Sequence, residues 1–234
     1  HYSGALLDHN AGTIQPLAYA MGLGRAAIDA GAKVFTNSPV TALQRDGNHW
    51  RVKTKNGSLL AEKVLIAVGA YGRDNENISS PVSGGDNVPL YFFQCATEPL
   101  SDEDSATILP GGEGVWDTDP VMVAFRRDQA GRLILGSIGR LDYLGGTHRH
   151  WATETRKKLF PKLSPQRWIS SWHGRIGMTG DHLPRLVEPA PGVLSIYGFN
   201  GRGIGPGTIF GRELASYCLS NNKDDLTLPI SEQH

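Results

Sequence analysis

Cysteine is almost absent from this chain of 234 residues: Cys95 and Cys218 are its only two. That number cannot build a disulfide framework, and no CxxC spacing points to zinc or a redox pair. A reducing compartment is the expectation, with a cytoplasmic location. Charge of one sign is equally lacking, since 23 basic residues balance 23 acidic ones. Neither nucleic acid nor an anionic membrane is therefore expected as the main partner, and a small, roughly neutral ligand fits better. No apolar run approaches the ~20 residues that span a bilayer, and the N-terminus lacks the pattern of a secretory signal. Metal-binding patterns are missing too. His148 and His150 flank Arg149 in "THRHW", which reads as a solvated turn rather than a metal site. His182 stands beside Asp181, but no GxSxG elbow exists to supply a nucleophile.

Glycine is abundant, and its placement organises the reading. Residues 13–31 carry Leu17, Met21, Gly24 and Ile28 on one helical face, with Pro16 in the first turn and Gly31 at the end. A strand is expected at "AKVFT" (32–36), then a hairpin joining "HWRVKT" to "SLLAEKVLIAV" through Asn56-Gly57. The run "VLIAV" (64–68) does not alternate, so it is expected to be covered on both faces. It leads into Gly69 and Ala70, small residues at a strand's carboxyl end, where α/β sheets tend to place ligands. From about Asn87 extended segments dominate, with a turn at Asp128 to Gly131 and no helical spacing until about Trp151. This suggests an inserted antiparallel sheet.

Two clusters carry chemistry. In "YGFNGRGIGPGTIFGRELA" an apolar strand meets Gly198, Gly201, Gly203, Gly205 and Gly207, followed by a helix expected to begin near Thr208. Backbone without Cβ atoms can approach a planar ligand, and the helix start favours negative charge. No further strand is expected after this helix, and the polar tail from Asn221 is expected to fray. In "WHGRIGMTGDHLPRL", Gly174, Gly177 and Gly180 keep backbone accessible, while Arg175 offers a permanent cation. Tight packing of the glycine loop and an ordinary ion pair for Arg175 remain open alternatives.

With these residues in view, the chain resembles the flavin-dependent oxidoreductases of the D-amino-acid oxidase superfamily, particularly amine oxidases of the gamma-glutamylputrescine oxidase type. Three segments carry the resemblance: "GALLDHNAGTIQPLAYAMGLGRAAIDAGAKVFTNSPVTAL", "EKVLIAVGAYG" and "HGRIGMTGDHLPRLVEPAPGVLSIYGFNGRGIGPGTIFGRELA". It implies an α/β fold with α+β character: FAD-binding portions at residues 1–86 and 166–234 around a substrate-binding antiparallel sheet at 87–165. It implies that Val40 meets adenine through its backbone, with Gly69 and Ala70 near the adenosine and pyrophosphate. Arg175, Gly177, Met178, Gly198, Asn200, Gly201, Arg202, Gly203, Ile204, Gly205 and Thr208 would surround the isoalloxazine ring. FAD would be non-covalent, because Ile176 stands where some relatives attach it through cysteine. The substrate would be a small amine or amino acid. An amine lacking an α-carboxylate fits better, since Gly205 replaces a lysine that pairs with carboxylates in sarcosine-oxidase-like members. No residue is assigned as catalytic.

The family's phosphate-binding GxGxxG unit is not found in this sequence. The chain is therefore expected to be a C-terminal fragment or truncated product, inactive alone, whose FAD site a partner segment or chain would complete. Two other classes stay open: a non-catalytic assembly subunit, and an α/β enzyme whose glycine loop binds a phosphorylated metabolite.

Overall fold

The computed structural model describes residues 2–74, 86–163 and 165–231. In chain order its first elements are α1 (Pro16–Asp29), β1 (Val40–Asp46), β2 (His49–Thr54), β3 (Gly57–Ala61), β4 (Val64–Ile66), β5 (Val88–Pro99) and α2 (Asp102–Thr107). Then follow β6 (Val115–Trp116), β7 (Ala124–Arg127), β8 (Arg132–Ile138), α3 (Leu141–Leu159), β9 (Trp168–Met178), β10 (Arg185–Ala190), β11 (Val193–Tyr197), α4 (Ile204–Ser220) and β12 (Ile230–Ser231). The fold is mixed α/β. Two compact units divide it: residues 1–31 with 91–174, and residues 32–90 with 175–234.

The first unit is built on a sheet in the order β6-β7-β8-β5-β9. Alternation along β5 and β8 sends Phe93, Cys95, Leu133 and Leu135 inward, all fully buried, where they join Phe125, Ala152 and Leu163. Each large apolar side chain so removed from water contributes about 1.5–3 kcal/mol. α3 covers this face, its Trp151 edge-on to Phe93 at 6.1 Å and its His148 stacked on the same ring at 5.1 Å. The helix begins at Leu141, ten residues before the expected Trp151, so "THRHW" is helical and not a turn. Gly145 lies buried under the Arg149 guanidinium, to which a Cβ would be 3.3 Å away. α2 lies in a stretch where only extended segments are expected; Ser101 caps it by accepting the Asp104 N–H at 3.1 Å.

α1 forms where its spacing predicts, with Pro16 in the first turn and Gly31 beyond its end at φ +94°. Its apolar face is not covered by the described residues: Leu17 is 76 % exposed and Met21 61 %.

The second unit holds an antiparallel meander, β1-β2-β3, and a mixed sheet in the order β12-β10-β11-β4. β11 is buried at every position, since α4 lays Leu214 and Tyr217 over Leu194 and Ile196. Four expectations are corrected in this unit. Residues 32–36 form no strand, and Val34 and Phe35 are mostly exposed, because no backbone among the described residues offers them a ladder. The hairpin turn is Lys55-Asn56, with Gly57 already paired to Thr54, and no positive φ is used there. β4 pairs with β11 alone among the described residues and leaves Leu65 44 % exposed, so it is an edge strand and not one covered on both faces. Finally, the tail after Asn221 does not fray: Leu226, Leu228 and Ile230 pack on the α4 cluster, and β12 pairs in parallel with β10. No helix among the described residues is long and apolar enough to cross a membrane.

Candidate functional site

All fourteen residues singled out from the sequence fall in the second unit, on five segments. Val40 opens β1 opposite Thr54. Gly69, at φ +55°, and buried Ala70 start a 3-10 turn after β4. Arg175, Gly177 and Met178 end β9. Gly198 to Gly203 form the loop after β11, and Ile204, Gly205 and Thr208 lie in the first turns of α4.

The loop is held by side chains more than by glycine alone. Gly198 adopts φ +75°, and a Cβ there would lie 2.5 Å from Thr179 Cγ2. Asn200, itself at φ +52°, accepts the Thr179 N–H through Oδ1 at 2.8 Å. Its Nδ2 donates to Thr179 Oγ1 at 3.1 Å and to the Gly198 carbonyl. Its backbone N–H donates to the Gly177 carbonyl at 3.1 Å. Asn200 is thus a latch between the end of β9 and the glycine loop. Arg202 donates from its guanidinium to the His182 carbonyl at 2.9 Å.

α4 begins at Ile204, one turn earlier than expected from Thr208, whose hydroxyl donates to the Ile204 carbonyl at 2.8 Å. This changes what the glycines do. Gly203 is the N-cap and supplies no side-chain acceptor, Pro206 has no N–H, and no acidic residue occupies the first turn. The N–H groups of Ile204 and Gly205 therefore lack both an intrahelical acceptor and a side-chain cap. A Cβ at Gly205 or Gly207 would meet nothing within 4 Å. Ile204 and Gly205 are themselves exposed, so the helix start presents donors and a positive dipole end to solvent, an arrangement suited to an electron-rich edge.

On the other side of the site, the Arg175 guanidinium stacks on the Tyr71 ring at 4.2 Å, and its backbone N–H donates to Tyr71 Oη at 3.0 Å. Asn87 Nδ2 donates to the Gly69 carbonyl at 3.1 Å. Tyr71, Asn87 and Thr179 touch these segments and are not among the fourteen. Tyr71 follows the small-residue turn directly and Thr179 lies between Met178 and Gly180, so adjacency was a usable signal for both; Asn87 carried none.

Below the loop, Tyr197 donates from its hydroxyl to Asp86 Oδ1 at 3.0 Å, and Arg185 bridges Asp86 at 3.4 Å and Asp181 at 2.8 Å. The Arg185 bond holds the Asp181 carboxyl below its ordinary range. Burial, and then the bond to Asp86, pushes the Tyr197 phenol from 10.0 up to about 12. An unfolded chain releases that proton near 10 while the folded one retains it, so this contribution is complete below pH 10 and is lost as pH rises toward 12. Tyr2 is raised to about 12 as well, so the Tyr197 part is read by difference. Urea midpoints measured from about pH 9 to about pH 11.5 are expected to fall less in Tyr197→Phe than in the wild type.

The family model described as "DAO: FAD dependent oxidoreductase" matches residues 1–217. The chain is 31% identical over 221 residues to "Probable oxidoreductase OrdL" of Rhizobium meliloti (strain 1021), covering 93% of this chain and 48% of that protein. It is 27% identical over 217 residues to "Gamma-glutamylputrescine oxidoreductase" of Escherichia coli (strain K12), covering 92% of this chain and 50% of that one. The solved glycine oxidase from Geobacillus kaustophilus superposes with a TM-score of 0.69 at 22% identity, over 86% of this chain and 53% of that structure, a likeness of fold. The chain spans about half the length of the relatives it matches.

Proposed function

Because the chain belongs to the DAO family of FAD-dependent oxidoreductases, we propose that it forms the part of an amine- or amino-acid-oxidising flavoenzyme that holds the pyrimidine edge of the ring. The observation that carries this reading is the uncapped start of α4, where Gly203, Pro206 and the open space at Gly205 and Gly207 leave the Ile204 and Gly205 amides available. That donor set fits the electron-rich N1 and C2 carbonyl edge of an isoalloxazine, and a carboxylate cap in the first turn would have opposed it.

FAD, when bound, would supply a two-electron acceptor for the hydride that leaves the C–H bond of the carbon bearing the substrate nitrogen. The chain's own contribution is to bind and orient. Ile204 and Gly205 donate backbone hydrogen bonds toward the ring, with Gly198, Asn200, Gly201, Arg202, Gly203 and Thr208 shaping that loop and helix start. Arg175, Gly177 and Met178 supply the neighbouring strand end. Gly69 and Ala70 are assigned to the adenosine and pyrophosphate, and Val40 to adenine. In this reading residues 1–86 and 166–234 meet FAD, which is bound without a covalent link, and residues 87–165 form the substrate sheet. The substrate is a small amine lacking an α-carboxylate. Cys95 and Cys218 are both unpaired, which supports the cytoplasm.

The donors on this chain serve only part of the dinucleotide, so a further segment or chain is assigned the pyrophosphate clamp. Two exposed features support such a partner, each within its own unit: the stripe of α1 and the outer edge of β4, neither of which is covered by another element among the described residues. Flavin titration of the chain by fluorescence quenching tests the reading. Weak binding without turnover is expected, together with tight binding once a GxGxxG-bearing partner is co-expressed. Submicromolar affinity with oxidase turnover in the chain alone contradicts the incomplete site.

A further inference from the structure

Asn87 stands just before β5 and is 3 % exposed. Its Nδ2 donates to the carbonyl of Gly69, the positive-φ residue that follows β4. Its Oδ1 has no hydrogen-bond partner among the described residues. That oxygen is turned instead onto the backbone of Gly177, so closely that a Cβ there would be 2.4 Å from it. Gly177 does not have a positive φ, and its strand conformation would suit any residue. What excludes a side chain at 177 is the Asn87 amide. On its other side Gly177 accepts the Asn200 N–H, and Asn200 in turn holds Thr179 and Gly198.

A continuous strut thus runs from the Gly69 turn through Asn87, Gly177 and Asn200 into the glycine loop. Burying an amide oxygen without a partner is unfavourable, and folds normally avoid it. Here the same orientation that leaves Oδ1 bare is the one that gives Gly69 its hydrogen bond. We infer that Asn87 is a positioning residue that fixes the spacing between the Gly69–Ala70 turn and the Gly198–Gly205 loop. Its consequence for cofactor binding rests on the flavin reading above, in which these two segments hold opposite ends of FAD; the strut itself does not.

Hydrogen–deuterium exchange on the 234-residue chain without flavin, in the wild type, Asn87→Leu and Gly177→Ala, tests this. Both variants are expected to speed exchange about tenfold, as a lost hydrogen bond of ordinary strength implies, at Ala70–Tyr71 and also at Phe199–Gly203. The Tm of Asn87→Leu is expected to stay within about 2 °C of the wild type, because the bare oxygen is removed along with the bond. A disturbance confined to the segment beside each substitution, or a uniform rise across β10 and β11 with a large fall in Tm, overturns the strut. A separate arm adds saturating FAD to the wild type and is expected to slow exchange at both segments. Failure of FAD to protect either one counts against the flavin reading, while coupled disturbance by the variants would still uphold the strut.

Discussion

Gly198→Ala is expected to be the most damaging single-methyl change in the second unit, lowering its stability by about 2–5 kcal/mol. Two effects add. The backbone at φ +75° is one that a residue with a Cβ adopts only with strain, and the added carbon would lie 2.5 Å from Thr179 Cγ2. Thr179 cannot simply swing aside, since it is 3 % exposed and its hydroxyl donates to the Leu183 carbonyl at 2.8 Å. Relief must come from moving the loop away from β9. A urea midpoint shift for the melting of the second unit measures the cost, and Gly201→Ala serves as the comparison. There the φ of +79° imposes the same strain, but the nearest atom to a new Cβ is Ile176 Cδ1 at an ordinary 3.6 Å. The gap between the two variants is therefore the steric part alone. Equal, small effects at both positions would mean that the loop does not depend on its contact with Thr179.

Asn200→Ala should cost nearly as much, about 2–4 kcal/mol, by a different route. It leaves the Thr179 N–H without its 2.8 Å acceptor in a buried setting and releases the Gly198 carbonyl. It also places alanine at φ +52°, a region that asparagine tolerates better. Asn200→Gly separates these contributions. Glycine accepts the backbone angle, so it is expected to recover about 1 kcal/mol relative to alanine while the lost side-chain bonds remain lost. A glycine variant as stable as the wild type would show that the latch contributes nothing beyond conformation.

Continuous apolar runs made part of this fold legible. "VLSI" announced β11 because both faces of that strand are covered, and Phe210, Leu214, Tyr217 and Cys218 announced the face that α4 lays over it. "VLIAV" has the same texture, yet β4 is an edge strand with Leu65 half exposed. The sequence pattern reports which surfaces are apolar, not whether the described residues cover them; α1 repeats the lesson with its exposed stripe. α3 extends ten residues ahead of its expected start, through Gly145 and Gly146, two residues of low helix propensity, the first of them a close-approach position under Arg149.

The start of α4 was misplaced for a related reason. Gly205 and Gly207 lower helix propensity, but proline at the third position of a helix sacrifices no hydrogen bond, and Pro206 sits there. β12 left a signal that went unused, since Leu226, Leu228 and Ile230 alternate at period two. The family resemblance was carried by motif, and family membership is shown by the match over residues 1–217. The strut through Asn87 was not legible, because a lone asparagine at the start of a strand says nothing about the two backbones it will touch.

The first amides of α4 are assigned to receive the flavin. Proton–nitrogen correlation spectra of the isotopically labelled chain, titrated with FAD, FMN and AMP, address this even when binding is weak. The Ile204 and Gly205 amide resonances are expected to move with FAD and with FMN, and to stay in place with AMP. Resonances at those two residues that remain fixed under FAD, while others shift or none do, would contradict it.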